Sequence, residues 1–520
     1  MNTVEAVGAP AATTVNSARR AGIARSIVYN WASLIVGALI AIVLTPIMIR
    51  GLGQYYYGLW VLVMSISDQY GLLDLGMTTA LSRFAGYFRG STDRSGLDES
   101  FSITFLLTLS MSALICALSA AGGGLLSTFF KISGPDRATF VHLVFLLGLT
   151  TAVAFPERML AAYLRGIQRF DLFNVAATGA TAMRALLFFI ALRLGSGVIT
   201  IALITLGMQM LSFGVHYEMV RSADPGLRIS FTNLRRNRVR EMFGFSIYAF
   251  IASVGTRLIT RLDSVVIGRI LTVALIAPFN VASRLTDYFV GVFSGVHGPV
   301  LSAMSELDGA SKPEELRILF LRSSRYTFLL SFFMGSVLIV DGRALLQLWL
   351  ASSGLDLDLT YKVLVILTLC YTANQAQLPS WSVIYARARH QILAGLILCE
   401  GLVNLGLSIY WGHRYGLVGI AMGTTVPALV HHLLITPYYA LRVIEMPVGR
   451  YLKGLVRPMA AGALFASLGY IDLAQPTSLV QLVLLMVCQT SIFGLIAYVV
   501  ALQSDEKRAM WMRCKEVVGG

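Results

Sequence analysis

The sequence predicts an all-α integral membrane protein of about 14 transmembrane helices. Its 520 residues are 56% hydrophobic and only 13% charged, whereas an ordinary soluble domain has about 25% charged residues. Apolar runs long enough to cross a membrane recur along the whole chain, and the segments between them are short. These short segments leave no room for a sizeable soluble domain, so catalysis in a large extramembrane domain is not expected.

The predicted helices are apolar runs bounded by charged residues or by Gly and Pro. They cover residues 26–49, 58–81, 100–129, 138–164, 172–192, 197–220, 242–268, 272–304, 318–340, 360–385, 392–411, 416–441, 458–473 and 478–502.

The distribution of Lys and Arg orients these helices. An even number of helices places both termini on one side of the membrane, and the first 20 residues lack the apolar stretch of a signal peptide. With both termini cytoplasmic, the inner segments hold 28 Lys and Arg residues and the outer segments hold seven, as the positive-inside rule requires. The same rule accounts for the net charge of +14, so we predict no nucleic-acid partner.

The chain is predicted to contain two six-helix halves, related by a pseudo-two-fold axis, and two C-terminal helices. A weak repeat supports this division, because YLRGIQRF at 163–170 and RLGSGVIT at 193–200 resemble YARARHQ at 385–391 and HRYGLVGI at 413–420. Such halves place a substrate site at their interface. The predicted parts are an N-terminal cytoplasmic tail 1–25, a first half 26–220, a basic cytoplasmic loop 221–241, a second half 242–441, two helices within 442–503 and a C-terminal cytoplasmic tail 504–520.

Charged residues inside the apolar runs are the candidate functional residues, because such a charge costs between about 2.5 and more than 10 kcal/mol. Arg257 and Arg261 are four residues apart and share a helix face, while Asp263 is rotated by about 240° from Arg257. The helix therefore does not neutralise its own arginines, which are left for a partner helix or an anionic ligand. Arg284 and Asp287 are three residues apart and can pair with each other. The cluster is therefore interpreted as two unpaired arginines beside a matched pair; a structural salt-bridge network between helices is the alternative.

Two sets of candidate residues follow from this reasoning. Guanidinium groups suit bidentate phosphate or carboxylate contacts and stay charged in a poorly hydrated site, so an anionic headgroup, diphosphate above all, is the expected ligand. The predicted substrate-binding residues are Arg257, Arg261, Arg284, Arg184 and Arg158. The predicted ion-coupling or gating residues are Asp74, Asp263, Asp287, Asp68, Glu157 and Glu400. The adjacent Glu157 and Arg158 cannot face the same way. No catalytic residue is predicted. No metal site is predicted either, since the five cysteines lack the short spacing of metal ligands.

Several short motifs resemble those of a known family. The stretch from residue 45 to 86 contains Pro46, Leu52-Gly53, Tyr57-Gly58-Leu59-Trp60 and Leu73-Asp74-Leu75-Gly76 followed by Arg83. Leu164-Arg165-Gly166, Gln168-Arg169-Phe170 and LQLWL at 346–350, in a predicted outer loop of residues 341–359, continue the pattern. The chain resembles bacterial polysaccharide-repeat-unit flippases of the Wzx type, in the multidrug/oligosaccharidyl-lipid/polysaccharide exporter superfamily.

The resemblance implies a flippase that moves undecaprenyl-diphosphate-linked repeat units across the bacterial inner membrane by alternating access. It implies that intramembrane arginines receive the diphosphate or acidic sugars and that carboxylates take part in ion coupling. Arg257, Arg261 and Arg284 are the candidates for the first role, and Asp74, Asp263 and Asp287 are the candidates for the second; no family motif assigns these residues individually. The expected partners are the lipid-linked oligosaccharide, membrane lipids and other polysaccharide assembly proteins. No cofactor is expected, and a proton or sodium gradient is the expected energy source.

Three alternatives remain open at this point. A cation-coupled multidrug exporter of the same superfamily would favour an acidic chamber, whereas the helices at 242–268 and 272–304 are rich in arginine. A membrane-embedded polysaccharide polymerase or ligase would need a substantial outer loop, and the longest predicted outer segment, 341–359, has only 19 residues. A scaffold without transport activity would not need intramembrane charges.

Overall fold

Helices are the expected answer to an apolar environment, because a helix satisfies its backbone polar groups within one segment. In the computed structural model, described for residues 11–90, 94–167, 170–229, 250–251, 253–387, 389–469, 476–501 and 506–507, all secondary structure is helical. The helices of the first 223 residues are α1 (Ala11–Gln69), a 3₁₀ helix (Tyr70–Asp74), α2 (Met77–Gly90), α3 (Arg94–Phe129), α4 (Pro135–Gly166), α5 (Phe170–Arg193) and α6 (Val198–Ala223).

The later part of the described chain continues with helical residues 253–260 and a turn at Arg261 and Leu262. It then forms α7 (Asp263–Ile270), a 3₁₀ helix (Val273–Leu275), α8 (Ile276–Gly309), α9 (Pro313–Leu350), α10 (Leu357–Ala376), α11 (Leu378–Ala386), α12 (His390–Val430), a π-helix (His431–Ile435), α13 (Thr436–Val443), α14 (Val448–Gly469), α15 (Leu479–Ile496) and a second π-helix (Ala497–Ala501).

The protein is a multi-pass integral membrane protein. Within the described residues, seven stretches are long and apolar enough to cross a membrane. They are Leu39–Asp74, Arg94–Phe129, Pro135–Gly166, Val198–Ala223, Pro313–Leu350, Gln391–Val443 and Leu479–Ala501. Helices α5, α8, α10 and α14 are 24, 34, 20 and 22 residues long and are not among the seven.

Two glycines interrupt long helices of the structure near the ends of predicted helices. Gly53 interrupts α1 with φ 78° and ψ 162°, between the predicted helices 26–49 and 58–81. Gly416 interrupts α12 with φ 60° and ψ −138°, where the predicted helix 416–441 begins. Glycine adopts these positive φ values without the steric cost that a side chain would add. The structure thus changes direction at Gly53 and Gly416, close to the predicted helix boundaries 49/58 and 411/416.

Three predicted boundaries are wrong. The predicted helix 58–81 ends early, because Leu75 and Gly76 adopt positive φ angles of 49° and 77° between the 3₁₀ helix and α2. The predicted helix 360–385 is divided at Gln377, where Pro379 starts a new helix and cannot donate a backbone hydrogen bond. The predicted outer loop 341–359 is mostly helical, since α9 continues to Leu350.

Several predicted segments lie partly outside the described residues. These are residues 1–10 of the N-terminal tail, 230–241 of the basic loop, 242–249 and 252 of the predicted helix 242–268, and most of the C-terminal tail. Residues 470–473 of the predicted helix 458–473 also lie outside them.

The central apolar core joins helices from both ends of the sequence. Buried side chains of α1, such as Leu59 and Leu62, pack in one cluster with Ile276 and Val281 of α8. A separate cluster fixes the last two long helices to α9, with the rings of Phe333 and Phe493 stacked 4.4 Å apart. The functional residues of α1 and α8 are therefore held next to each other by packing.

Gly58 allows the closest approach in this core. A Cβ atom at Gly58 would collide with the backbone oxygen of Val273, which cannot move aside as a flexible side chain can. The Tyr57-Gly58-Leu59-Trp60 motif thus has a packing reason: it lets α1 lie directly against the 3₁₀ helix that precedes α8.

We expect Gly58→Ala to lower the free energy of unfolding by about 1–3 kcal/mol, the usual cost of overpacking a core. Gly37→Ala is the matched control, because a Cβ at helical Gly37 meets nothing within 4 Å. The control should be neutral or stabilising by about 0.5–1 kcal/mol. Denaturation of both variants in detergent checks this, and equal effects would contradict the close approach.

Candidate functional site

One residue at the end of α1, Asp68, contacts both arginines of the 253–262 segment. Arg257 Nη1 donates a hydrogen bond to the backbone oxygen of Asp68, and Arg261 Nε lies 3.7 Å from Asp68 Oδ2. The four-residue spacing places both guanidiniums on the same side of the helix, as predicted. The interpretation as unpaired is therefore wrong for Arg261, whereas Arg257 has no ion pair among the described residues. Helical rotation alone does not show which residues the neighbouring helix presents.

This contact is open to solvent. The side chains of Arg261 and Asp68 are 53% and 39% exposed, so their attraction is screened and the pair is weak. Gly71 follows Asp68 in the 3₁₀ helix, and a Cβ there would collide with the guanidinium of Arg257. The 3₁₀ helix therefore makes room for Arg257 through glycine, while Arg261 stays accessible.

Arg284 is held by a carboxamide and not by the carboxylate one turn further along α8. Its Nε donates to Asn280 Oδ1 at 3.2 Å, and the hydroxyl of Tyr57 donates to the same oxygen at 2.9 Å. Among the described residues no ion pair joins Arg284 to Asp287, so the predicted pairing is wrong. Asp287 is exposed and interacts electrostatically with both Arg261 and Arg284.

Asp74 and Arg158 extend the same group of charges. Asp74 Oδ2 accepts a hydrogen bond of 2.9 Å from Thr78, and the Asp74 carboxylate interacts electrostatically with Arg158 and Arg257. Seven of the predicted site residues therefore belong to one connected group, here named the central charged cluster: Asp68, Asp74, Arg158, Arg257, Arg261, Arg284 and Asp287. Four guanidiniums and three carboxylates give the cluster a net charge of +1 when all are ionised.

Asp263 points away from this cluster, as helical rotation predicts. It is buried at the start of α7, and Thr424 Oγ1 lies 3.4 Å from each of its carboxylate oxygens. Thr424 Oγ1 also lies 3.3 Å from Asn404 Oδ1, which accepts a 2.9 Å hydrogen bond from Ser408. No basic side chain forms an ion pair with Asp263 in the described part of the chain. The result is a buried carboxylate among uncharged oxygen atoms, a ligand set that suits a hard cation.

Glu157 and Arg184 form a separate group between α4, α5 and α6. Glu157 accepts hydrogen bonds from Gln209 and from Ser212, the latter at 2.5 Å, and lies 3.3 Å from His216 Nδ1. Arg184 interacts electrostatically with Glu157. Arg158 is exposed, so the adjacent Glu157 and Arg158 face different ways, as predicted.

Glu400 belongs to a third group, on α12. It contacts the imidazoles of His431 and His432, and all three side chains are buried. The structure therefore does not bring Glu400, Glu157 or Arg184 to the central charged cluster.

Sequence reasoning missed the uncharged residues that complete these groups. Gln209, Ser212 and His216 follow one face of α6 at spacings of three and four residues, which is a detectable signal. Thr424, Asn280 and Tyr57 carry no such signal, because each meets its partner only through packing between distant helices.

A family described as polysaccharide biosynthesis protein matches residues 47–356, more than half of the chain. The chain belongs to this family. Its predicted identification with a polysaccharide-related family is therefore confirmed.

Individual members and structures of the wider superfamily agree with this assignment. A protein provisionally named an O-antigen transporter from Shigella flexneri is 20% identical over 426 residues, covering 80% of this chain and 97% of the relative. The lipid II flippase MurJ in an inward closed conformation matches with a TM-score of 0.67 at 16% identity, over 91% of this chain and 98% of MurJ.

A multidrug resistance MATE transporter of the MOP superfamily, in its inward-facing conformation, matches with a TM-score of 0.68 at 14% identity. The match covers 80% of this chain and 98% of that transporter. The family member therefore has the MOP-superfamily transporter fold, which confirms the predicted transporter fold. None of these three proteins is named as an enzyme.

We expect Gly71→Ala to displace the guanidinium of Arg257 from Asp68, because that guanidinium is flexible and the backbone is not. Gly71→Ala and Arg257→Ala should then be non-additive, with a coupling of about 0.5–3 kcal/mol in the free energy of unfolding. A double-mutant cycle in detergent measures the coupling. Additive effects would mean that Gly71 and Arg257 do not share this contact.

Proposed function

We propose that this family member flips undecaprenyl-diphosphate-linked polysaccharide repeat units across the bacterial inner membrane by alternating access. The observation that carries the proposal is the central charged cluster, which presents four guanidiniums but only three carboxylates in solvent-accessible positions. The family description and the names of the Shigella flexneri relative and of MurJ support a lipid-linked saccharide as the substrate.

The arginines of the central charged cluster suit a diphosphate ligand better than they suit a single carboxylate. Asp68 contacts Arg257 through its backbone oxygen and Arg261 through its carboxylate. The pair with Arg261 is weak because both side chains are exposed. A diphosphate offers more charge and more acceptor oxygens, and guanidiniums bind such groups through paired hydrogen bonds. The headgroup is therefore proposed to take the place of Asp68 and Asp287 at Arg257, Arg261 and Arg284, with Arg158 beside them. Arg184 lies in the Glu157 group and is proposed to act only indirectly.

The proposed architecture has 14 transmembrane helices with both termini in the cytoplasm. Seven apolar stretches in the described residues support it, and the turns at Gly53 and Gly416 divide two of them into two helices each. Helices α5, α8, α10 and α14 supply further spans of 20 residues or more. The two halves, 26–220 and 242–441, are proposed to rock around the central charged cluster, whose residues come from both.

Asp263 is proposed to couple flipping to an ion gradient. Its carboxylate has only uncharged partners in the described structure, so it can bind a proton or a sodium ion and release it to the other side. The hydroxyl of Thr424 and the carboxamide of Asn404 lie in the same pocket and would complete the coordination of a hard cation. Asp74 and Asp287 belong to the central charged cluster and are proposed to act with the headgroup.

The two rival functions receive less support. A cationic drug would meet four arginines in the central charged cluster, which repel it. A polymerase or ligase needs an outer segment to hold the acceptor, and only residues 351–356 connect α9 to α10.

We expect Arg257→Ala and Arg261→Ala each to slow flipping of a fluorescent prenyl-diphosphate-linked saccharide in liposomes by about tenfold or more. The reason is that a hydrogen bond to a charged group contributes about 1.5–3 kcal/mol. Arg193→Ala is the control, since exposed Arg193 stacks over Phe189 outside the cluster. If both cluster variants fold and flip at the rate of the control, the arginines do not bind the headgroup.

We expect Asp263→Asn to abolish the stimulation of flipping by an imposed proton or sodium gradient, because the neutral side chain cannot bind and release the ion. Binding of the prenyl-diphosphate substrate should persist, since Asp263 lies outside the cluster. Asp358→Asn, which removes a solvent-exposed partner of Arg343, is the control. Gradient stimulation that survives in Asp263→Asn would contradict the coupling role.

A further inference from the structure

The Glu400 group lies in the interior of the protein and is not needed for the proposed transport cycle. Its donor atoms come from two places, Glu400 in the middle of α12 and the adjacent His431 and His432 in the π-helix that follows. One donor atom from each residue lies within 4.8 Å of the other two. All three side chains are buried, with exposures of 7%, 3% and 3%.

The π-helix is what brings two neighbouring histidines together. Successive residues of a regular α-helix point about 100° apart, so adjacent histidines do not normally share a site. Here the rings of His431 and His432 stack with their centroids 4.7 Å apart and their planes at 25°. Short π-helical segments interrupt α-helices most often at functional sites.

The distances fit the replacement of a shared proton by a metal ion. His432 Nε2 and Glu400 Oε1 are 3.7 Å apart, and two ligands of a tetrahedral zinc ion at bonds of about 2.0–2.1 Å are separated by about 3.4 Å. His431 Nδ1 and Glu400 Oε2 are in hydrogen-bond contact. A metal would displace the proton held between them, as metal binding to protonated ligands usually does.

Each imidazole of the group uses only one of its two ring nitrogens. His431 Nδ1 and His432 Nε2 face the carboxylate of Glu400, whereas His431 Nε2 and His432 Nδ1 are buried without a hydrogen-bond partner in the described structure. Glu400 forms ion pairs only with the two histidines among the described residues. The carboxylate is thus left without a permanently charged counter-ion.

We propose that Glu400, His431 and His432 form a binding site for a divalent first-row transition-metal ion, with Zn²⁺ as its ligand. Two imidazoles and one carboxylate favour zinc and its neighbours over Mg²⁺ and Ca²⁺, which prefer oxygen ligands alone. Asn374 Nδ2 lies 2.8 Å from His432 Nε2, and Asn374 Oδ1 accepts a 2.7 Å hydrogen bond from Gln375. We therefore count three protein ligands, which leaves the fourth position of a tetrahedral ion open. The site is distinct from the oxygen-only pocket of Asp263, so the two pockets bind ions of different hardness.

Trp381 supplies a reporter inside the protein. Its ring lies 5.8 Å from that of His431 and 6.0 Å from that of His432, measured between centroids. A paramagnetic ion such as Co²⁺ bound by these imidazoles should quench the fluorescence of Trp381. The quenched component should be absent from Trp381→Phe, which separates this site from adventitious binding elsewhere.

The test uses the full chain, purified through an affinity tag without histidines and stripped with a chelator. Zn²⁺ is titrated by calorimetry and Co²⁺ by visible absorption and tryptophan quenching, all in excess Na⁺ and Mg²⁺. The wild type should bind one Zn²⁺ per chain and show tetrahedral Co²⁺ bands. Glu400→Gln, His431→Asn and His432→Asn should each weaken binding by more than about 100-fold, since even outer-shell partners change metal affinity 10–100-fold.

His142→Asn is the matched control, because His142 is an exposed histidine of α4, and it should bind as the wild type does. The proposal is overturned if the wild type binds no Zn²⁺, a result that does not depend on whether any variant folds. It is also overturned if folded Glu400→Gln binds Zn²⁺ as tightly as the wild type. A network held by hydrogen bonds alone would give either of these results.

Discussion

Asp68 contacts two guanidiniums of the neighbouring segment 253–262, that of Arg257 through its backbone oxygen and that of Arg261 through its single carboxylate. The charge balance of the central charged cluster depends on this contact. Charges inside a membrane must be paired or hydrated. Here Arg257 is hydrogen-bonded to a backbone oxygen, while Arg261 is accessible to water. Glycine at position 71 leaves room for the guanidinium of Arg257, and Gly58 separately lets α1 lie against the 3₁₀ helix that precedes α8. In the proposed function, the surplus positive charge of the cluster attracts the anionic headgroup.

The cluster and the ion pocket are separated by rotation along one short segment. Arg261 and Asp263 are two residues apart, yet one faces the solvent-accessible cluster and the other is buried against Thr424. A turn at residues 261–262 lies between helical residues 253–260 and α7, which begins at Asp263. The proposed headgroup site and the proposed ion site are therefore adjacent in the chain but chemically distinct, as coupling between two sites requires.

The sequence predicted the class, the transporter fold and all seven charged residues of the cluster, because apolar run length and charges within apolar runs are properties of the chain itself. Helical rotation correctly separated Asp263 from Arg257, and Glu157 from Arg158. The pairing of charges was not predictable in the same way: Arg284 meets Asn280 and Tyr57, and Arg261 meets Asp68 from a distant helix. Helix boundaries were predicted wrongly at Leu75 and at Pro379, where the backbone conformation of single residues ends a helix. The π-helix that brings His431 beside His432 leaves no signal in the apolar pattern.

The affinity of the chain for a short-chain prenyl diphosphate, compared between the wild type and Asp68→Asn, tests the central claim most directly. If the headgroup takes the place of Asp68 at the arginines, removing that negative charge raises the net charge of the cluster from +1 to +2. The account therefore predicts tighter binding of the diphosphate by Asp68→Asn, and binding that weakens as salt is added. Weaker diphosphate binding by a folded Asp68→Asn, or tighter binding of a cationic amphiphile than of the diphosphate by the wild type, would contradict it.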